Sequence, residues 1–348
     1  MRPVHSGTPA PRSHSMSRRF WLAVTFLTAG LLTAGCGVLG GSSGGTGSSG
    51  NLTITVAAVP GVDDAPLYVA QRNGLFRQHG LDVTISNYTS LKREVQALSS
   101  GRADVAAGDY ADFFYTQAHP SRSHPLELRL IADGYDAAPN VMAVLTLPKL
   151  GINSPQDLQN KRVATPTAQA IKQTSNLPYS MEMLATQAVL RTDGVSPTSI
   201  QWVAMPEQRM ISALSTGQVS AILVTEPYIL RAESQLGAIS VLDSCSGVAS
   251  GLPLLGYFTV QAFASGHARA VQAFRSALLQ AQSSAAMRGP VETSLTSSMH
   301  MNSQDAALLT IGQYPTFLSV GQVQRIADLM YDSGLLATPL AVRKLILG

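Results

Sequence analysis

Apolar and polar positions along this chain alternate, run together and then give way to turn residues in a repeating order. Leu52-Thr-Ile-Thr-Val-Ala-Ala58 alternates and then becomes fully apolar, which predicts a strand. Residues 59–66 are turn-rich. The span 65–73, with Leu67, Val69 and Ala70 apolar, predicts a helix stopped by Gly74. Leu75-Phe76 opens a short turn that Gly80 closes, and Leu81-Asp-Val-Thr-Ile85 alternates as a second strand. Ser90 caps a further helix that runs into Ala97-Leu-Ser-Ser-Gly101.

That helix ending is used twice. Residues 97–110 read Ala-Leu-Ser-Ser-Gly-Arg-Ala-Asp-Val-Ala-Ala-Gly-Asp-Tyr, and residues 213–226 read Ala-Leu-Ser-Thr-Gly-Gln-Val-Ser-Ala-Ile-Leu-Val-Thr-Glu without a gap between them. In each copy a Gly (101 or 217) closes the helix, because a C-terminal cap with positive φ suits only a residue without Cβ. A short apolar run follows, 105–107 or 219–224, of the length expected for a buried parallel strand. Each run ends on a polar tip, Asp109-Tyr110 or Thr225-Glu226. Ligands in parallel α/β sheets sit beyond the carboxyl ends of strands. Two copies therefore predict two similar α/β lobes that offer polar tips to a shared cleft.

Composition agrees with this. The chain has 348 residues, of which 45% are hydrophobic and 13% charged, with 29 Gly and 19 Pro, and it is long enough for two medium lobes with real cores. The formal charge of +3 is misleading: Arg2, Arg12, Arg18 and Arg19 precede Cys36 with no acid among them, and removing these four leaves −1. No basic patch with interleaved aromatics suggests nucleic acid as a partner. Cys245 is the one Cys after Cys36, and no Cys/His spacing suggests a metal, so neither a metal nor a cofactor is expected. No nucleophile elbow, P-loop or dinucleotide fingerprint follows a strand.

The N-terminus reads as a targeting segment. Arg18-Arg19 precede an apolar run from Phe20 to Leu32, too short to span a membrane, and Thr33-Ala34-Gly35-Cys36 follow. The Cys after Ala-Gly resembles a bacterial lipobox, although Thr33 stands where Leu is usual. Residues 1–35 are then a signal peptide, and Cys36 is the lipidation site. Residues 37–50 are almost all Gly, Ser and Thr, a flexible coil suited to a tether.

Candidate ligand contacts come from the strand tips. They are Asp63, Asp64 and Pro66 after the first strand, Asp109 and Tyr110, Thr165 and Thr167 after a strand begun at Val163, and Thr225, Glu226 and Tyr228. Asp109 equally fits the N-cap of a helix over 111–117, and Thr225 the cap of a helix begun by Pro227. The tyrosines fit either stacking on a ring or the core. The acids Asp63, Asp64, Asp109, Asp112 and Glu226 outnumber the bases Lys172 and Arg209 on these loops, which favours a neutral or cationic solute. Backbone N–H groups at Thr167 or Ala111 leave room for an anion.

Ala65-Pro-Leu-Tyr-Val-Ala70, Asn73-Gly-Leu-Phe76, His79-Gly-Leu-Asp-Val83 and Ala97-Leu98 with Gly101 and Asp104 come in one order. Ser154-Pro-Gln-Asp-Leu158, Lys161-Arg-Val-Ala164 and Glu226-Pro227 continue it. Together they resemble the substrate-binding proteins of bacterial ABC importers for nitrate, taurine, aliphatic sulfonates and thiamine-precursor pyrimidines. Gln159-Asn160 replaces the family's Gly, and Ser220 its Asp. The resemblance runs from Leu52 onward. It implies an α/β, two-lobed periplasmic binding protein fold of type II-like form: two mostly parallel sheets flanked by helices, with a hinge between the lobes. Crossovers are expected near Leu145 and Cys245. That makes 51–145 and 246–348 lobe I, with a helical C-terminal region packed on it, and 146–245 lobe II. The implied role is a monomeric, lipid-anchored receptor that passes a small solute to ABC permease transmembrane subunits with a cytoplasmic ATPase. The alternatives are a lyase on the same fold or a surface lipoprotein of another role.

Overall fold

A computed structural model of the chain describes residues 51–120, 126–166 and 180–347. The signal and tether, Cys36, Thr167 and Lys172 lie outside the described residues. The order begins β1 (Leu52–Ala58), α1 (Ala65–Arg72), α2 (Leu75–Gln78), β2 (Leu81–Asn87), α3 (Leu91–Ser99), β3 (Val105–Asp109), α4 (Tyr110–Ala118) and β4 (Leu128–Asp136). After a crossing come β5 (Met142–Thr146), β6 (Arg162–Thr165), α5 (Met181–Thr192), β7 (Gln201–Ala204), α6 (Glu207–Ser215), β8 (Ala221–Thr225), α7 (Tyr228–Leu236) and β9 (Ile239–Asp243). The return brings β10 (Pro253–Val260), α8 (Gln261–Gly266), α9 (Ala268–Ala285), α10 (Arg288–Ser298), α11 (Ser303–Leu308) and α12 (Val320–Asp332).

Two five-stranded sheets result, ordered β2-β1-β3-β10-β4 and β7-β6-β8-β5-β9. In the first, β1 runs parallel to β2 and β3, whereas β10 is antiparallel to β3 and β4. In the second, β6 runs parallel to β7 and β8, whereas β5 is antiparallel to β8 and β9. Four strands of each sheet thus share one direction. The odd strand in each is the first to arrive from the other lobe, because a chain that crosses over enters the new sheet from its opposite end.

The repeated stretch builds the central strand of each sheet, β3 and β8. Its helix ends share one geometry. Gly101 has φ 69° and Gly217 φ 73°. The Arg102 N–H bonds the Ala97 carbonyl at 2.9 Å and Gln218 bonds Ala213 at 2.9 Å, the 6→1 bond of a Schellman cap.

One boundary differs from the sequence expectation. The first crossing occupies residues 137–141, so Leu145 lies inside β5 and pairs with Ile222 of β8. The run from Val141 to Leu145 is apolar throughout, and which sheet takes it is decided by pairing partners far away in sequence. The second crossing, residues 244–252, contains Cys245. The C-terminal helices also do more than cover lobe I. Phe274, Leu278, Ala281 and Leu295 of α9 and α10 do pack on the lobe I core with Leu67, Val69 and Tyr257. The stripe Val323, Ile326, Ala327 and Met330 of α12, at helical spacing, instead buries in a core shared with Phe114 of α4 and Leu184 of α5. One apolar seam therefore runs through both lobes.

Candidate functional site

The strand tips of both sheets meet where helices begin, and almost every one of these helix starts carries an acid. Asp64 is the N-cap of α1, Glu94 lies in the first turn of α3, Asp109 caps α4 with Asp112 in its first turn, Glu182 lies in the first turn of α5, and Glu207 opens α6. First-turn acids are favoured by the helix dipole, which is why Glu94, Glu182 and Glu207 do not stand out in the sequence. In the fold they gather. Burial, with Glu182 of lobe II adding to it, pushes Asp63 up to about 6. Burial, then Asp63, raises Asp64 well above its usual range. Burial, then Asp64 and Asp63, does the same to Glu94. Burial and Glu182 bring Asp112 to about 6 and Glu207 to about 7. The two ion pairs among the described residues, Arg77–Asp82 and Arg288–Glu292, lie elsewhere.

Several of these oxygens are met by no donor among the described residues. Asp64 is fully buried; its Oδ1 receives only a long 3.5 Å bond from the Tyr257 hydroxyl, and its Oδ2 receives none. Glu94 is also fully buried. Neither of its oxygens accepts a hydrogen bond of normal geometry, although the nearby Val59 N–H lowers its pKa somewhat. Glu182 Oε2 and the Thr165 hydroxyl at the end of β6 are likewise buried without a partner. A buried carboxylate without a donor costs stability, so this cluster is a place where folding is not served.

The expected site residues separate into distinct groups. Asp63, Asp64, Asp109 and Thr165 fall in or beside this cluster, and Pro66 is buried in the first turn of α1. Tyr110 is a core residue: its ring packs edge-on against Phe114 (5.6 Å) and Phe258 (5.3 Å), and its hydroxyl donates to Asp133 at 3.0 Å. The tip pattern predicts where the chain turns but not which way the side chain points. Thr225 does not cap α7; its hydroxyl donates to Glu207 Oε1 at 3.3 Å. Tyr228 lines a groove between α6 and α7 with Gln208, Ser212 and Arg231, and the Arg231 guanidinium lies 5.4 Å from its ring centre.

Glu226, the acid expected to face a solute, has both oxygens occupied. Oε2 accepts from the Leu230 N–H of α7 at 3.1 Å, and Oε1 from the Thr310 N–H at 2.9 Å. Thr310 begins a strap after α11 that is fastened to lobe I. The Gly312 N–H donates to the Tyr135 hydroxyl at 2.6 Å, Gln313 pairs with Asp136, and the Tyr314 hydroxyl donates to the Val62 carbonyl at 2.6 Å. Glu226 therefore ties the lobes together through backbone donors. Asp109 is a second tie. Its Oδ1 accepts from Ala111 and Asp112 of α4, and its Oδ2 from Met181, the first residue of α5 in lobe II, at 2.7 Å.

Two sheets of this strand order, joined by two crossings, define a periplasmic binding protein fold whose helix starts bring buried acids of both lobes together. The chain belongs to the NMT1/THI5-like family, whose model matches residues 62–293. A curated relative, the nitrate import ATP-binding protein NrtC of Synechocystis sp., is 27% identical over 219 residues, 58% of this chain and 30% of that protein. The chain thus spans about a third of that relative's length. Among solved structures, the alkanesulfonate-binding protein SsuA of Xanthomonas axonopodis pv. citri bound to MOPS aligns with a TM-score of 0.66 at 18% identity, over 85% of this chain and 98% of that one. The periplasmic nitrate-binding protein NrtA of Synechocystis PCC 6803 aligns with a TM-score of 0.68 at 13% identity, over 85% and 86%. The desulfurization enzyme DszB aligns with a TM-score of 0.63 at 14% identity, over 85% and 96%. At such identities these structures share the fold.

Proposed function

We propose that this chain is the extracytoplasmic solute-binding component of an ABC importer, a receptor and not an enzyme. It captures a small organic solute between the lobes by hinge closure and delivers it to the transmembrane subunits of a permease driven by a cytoplasmic ATPase. Residues 1–35 act as the signal peptide, Cys36 carries the lipid and residues 36–50 form the tether, so the protein works as a monomer on the outer face of the membrane. The solute is nitrogen-rich and neutral or cationic, such as a thiamine-precursor pyrimidine. The observation that carries this reading is the set of buried acceptors at Asp64, Glu94, Glu182 and Thr165 that no donor among the described residues meets. A solute with several N–H groups supplies the missing donors, and a positive charge offsets the crowded carboxylates.

A second reading, an anion such as nitrate, taurine or an aliphatic sulfonate, is favoured by the names of NrtC, SsuA and NrtA. A lyase on the same fold is the third, since DszB is an enzyme by name. A thermal-shift and calorimetry series on the full chain separates them. Aminopyrimidines, amidines and amines are expected to raise the melting temperature saturably and to be recovered unchanged; at a hundred times Kd the gain is about 2.7 kcal/mol. If nitrate or a sulfonate is the tightest ligand, the charge argument is wrong, and a converted solute makes the protein an enzyme. Location has its own check. Cys36→Ser is expected to move the protein from the detergent phase to the soluble fraction after membrane extraction, and identical partitioning of the two forms defeats the anchor.

A further inference from the structure

The strap after α11 meets both lobes at the places that the first crossing joins. That crossing, residues 137–141, leaves β4 at Asp136 and enters β5 at Met142. At the lobe I end, Gln313 of the strap exchanges backbone hydrogen bonds with Asp136. The Asp136 N–H donates to the Gln313 carbonyl at 2.8 Å, and the Gln313 N–H to the Asp136 carbonyl at 3.1 Å. At the lobe II end, the Thr310 N–H donates to Glu226 Oε1 at 2.9 Å, and Glu226 follows Thr225, the partner of Met142 in the sheet. Residues 310–313 therefore bridge by hydrogen bonds the gap that residues 137–141 bridge covalently.

The strap is built onto lobe I. Leu309 and Tyr314, on either side of these residues, are buried in the lobe I core. The Arg288 guanidinium donates to the carbonyls of Ala306 (3.0 Å), Ala307 (2.7 Å) and Leu309 (2.9 Å). A Cβ on Gly312 would stand 2.5 Å from the Asp136 carbonyl oxygen and 2.6 Å from Tyr135 Cζ, so only a glycine lets the strap lie this close to the end of β4. The Thr310 N–H is thus a donor fixed in lobe I and bonded to an acid of lobe II. We propose that the strap is a brace on the hinge: its bond to Glu226 holds the lobes together before any solute arrives and so sets the resting balance between open and closed forms. Both oxygens of Glu226 are taken by N–H groups of the chain, so the brace acts alike on solutes of any charge. The inference rests on the two-lobe hinge and not on what fills the cleft.

Hydrogen exchange on the purified full chain, without solute, tests the brace. The Met181 N–H of lobe II, bonded to Asp109 of lobe I at 2.7 Å, is a separate contact between the lobes and reports their opening. Thr310→Pro removes the strap's donor. Leu309 before it has φ −56° and ψ 143°, extended backbone of the kind a residue before proline takes. Gly312→Ala pushes the strap off β4 and leaves Glu226 in place. Both are expected to speed exchange at Met181 by about tenfold, the effect of losing one hydrogen bond to a charged group, and to leave the amides of β3 unchanged. Thr310→Ser keeps the N–H and is expected to match wild type. Unchanged exchange at Met181 in the folded variants overturns the proposal. Equal acceleration at Met181 and in β3 overturns it too, since the strap then only supports lobe I as a whole. If neither variant folds, Glu226→Ala removes the acceptor from the lobe II side, and the same two outcomes decide. No solute enters the experiment, so a wrong reading of the solute leaves the brace standing, and failure of the brace leaves the solute reading untouched.

Discussion

Raising the pH from about 4.5 to 7.5 is expected to lower the melting temperature of the free protein by about 6 °C, opposite to the usual behaviour of carboxylate-rich proteins. The sign follows from burial without partners. Most native carboxylates are paired, ionise more readily when folded, and add stability as pH rises. In this cleft the folded groups hold their protons longer: Asp63 and Asp112 to about 6, and Glu207 to about 7. Between about pH 4, where these acids ionise in the unfolded chain, and those values, the native state binds more protons than the unfolded one. Stability is fully present below that window and falls as pH rises through it. A shift of two units at one group corresponds to about 2.7 kcal/mol. Asp63 and Glu207 keep part of their surface in water, so about 1 kcal/mol for each of the three groups is the better figure. At about 2 °C per kcal/mol for a chain of this size the drop is about 6 °C. A cationic solute favours the ionised forms, so capture near pH 6 is expected to release protons, visible as a binding heat that changes with the ionisation heat of the buffer. A melting temperature that climbs from pH 4.5 to 7.5 sinks the argument.

The fold was largely legible because its determinants are local. A Gly after Ala-Leu-Ser-x, then an apolar run, marks a Schellman cap and a buried strand wherever it occurs, and both copies became central strands. The site was only half legible because its determinants are not local. Glu226 meets the Thr310 N–H across 84 residues, and no periodicity announces that the segment after α11 returns as a strap. Tyr110 follows a strand tip as a ligand-contacting residue would, yet its neighbours Phe114 and Phe258 claim it for the core. Glu94, Glu182 and Glu207 look like ordinary first-turn acids. What makes Glu94 and Glu182 unusual is the absence of a donor among the described residues, at both oxygens of the first and at Oε2 of the second, while Glu207 is unusual for meeting only Thr225; a sequence displays neither. Of the tip-loop acids, Asp63, Asp64 and Asp109 sit in the acidic group; Glu226, grouped with them on the sequence, belongs instead to the ties between lobes.

Glu94→Gln is expected to make the protein more stable at pH 7 and a poorer binder. Glu94 is fully buried, and its Oε2 lies 3.0 Å from the point where a Cβ on Gly108 would stand, so the bare glycine leaves it room beside β3. With no donor of normal geometry on either oxygen, it is the most exposed to desolvation cost of the acids in the cleft. Gln has nearly the same shape, carries no charge, and puts an N–H₂ donor in place of one partnerless acceptor. Removing an uncompensated buried charge is expected to stabilise by about 1–3 kcal/mol, read from denaturant midpoints at unchanged slope. The same change deletes one charge-assisted hydrogen bond to a cationic solute, a loss of about 10–100-fold in affinity. The contrast is Asp133→Asn. Asp133 is also buried in lobe I, but it accepts from the Tyr110 hydroxyl and the Gly134 N–H, each at 3.0 Å. Its amide is expected to cost stability and leave affinity alone. Opposite movements of stability and affinity at Glu94 identify an acid kept for the solute. If Glu94→Gln loses stability and affinity together, Glu94 is part of the frame of lobe I, and if affinity does not move, no solute reaches it.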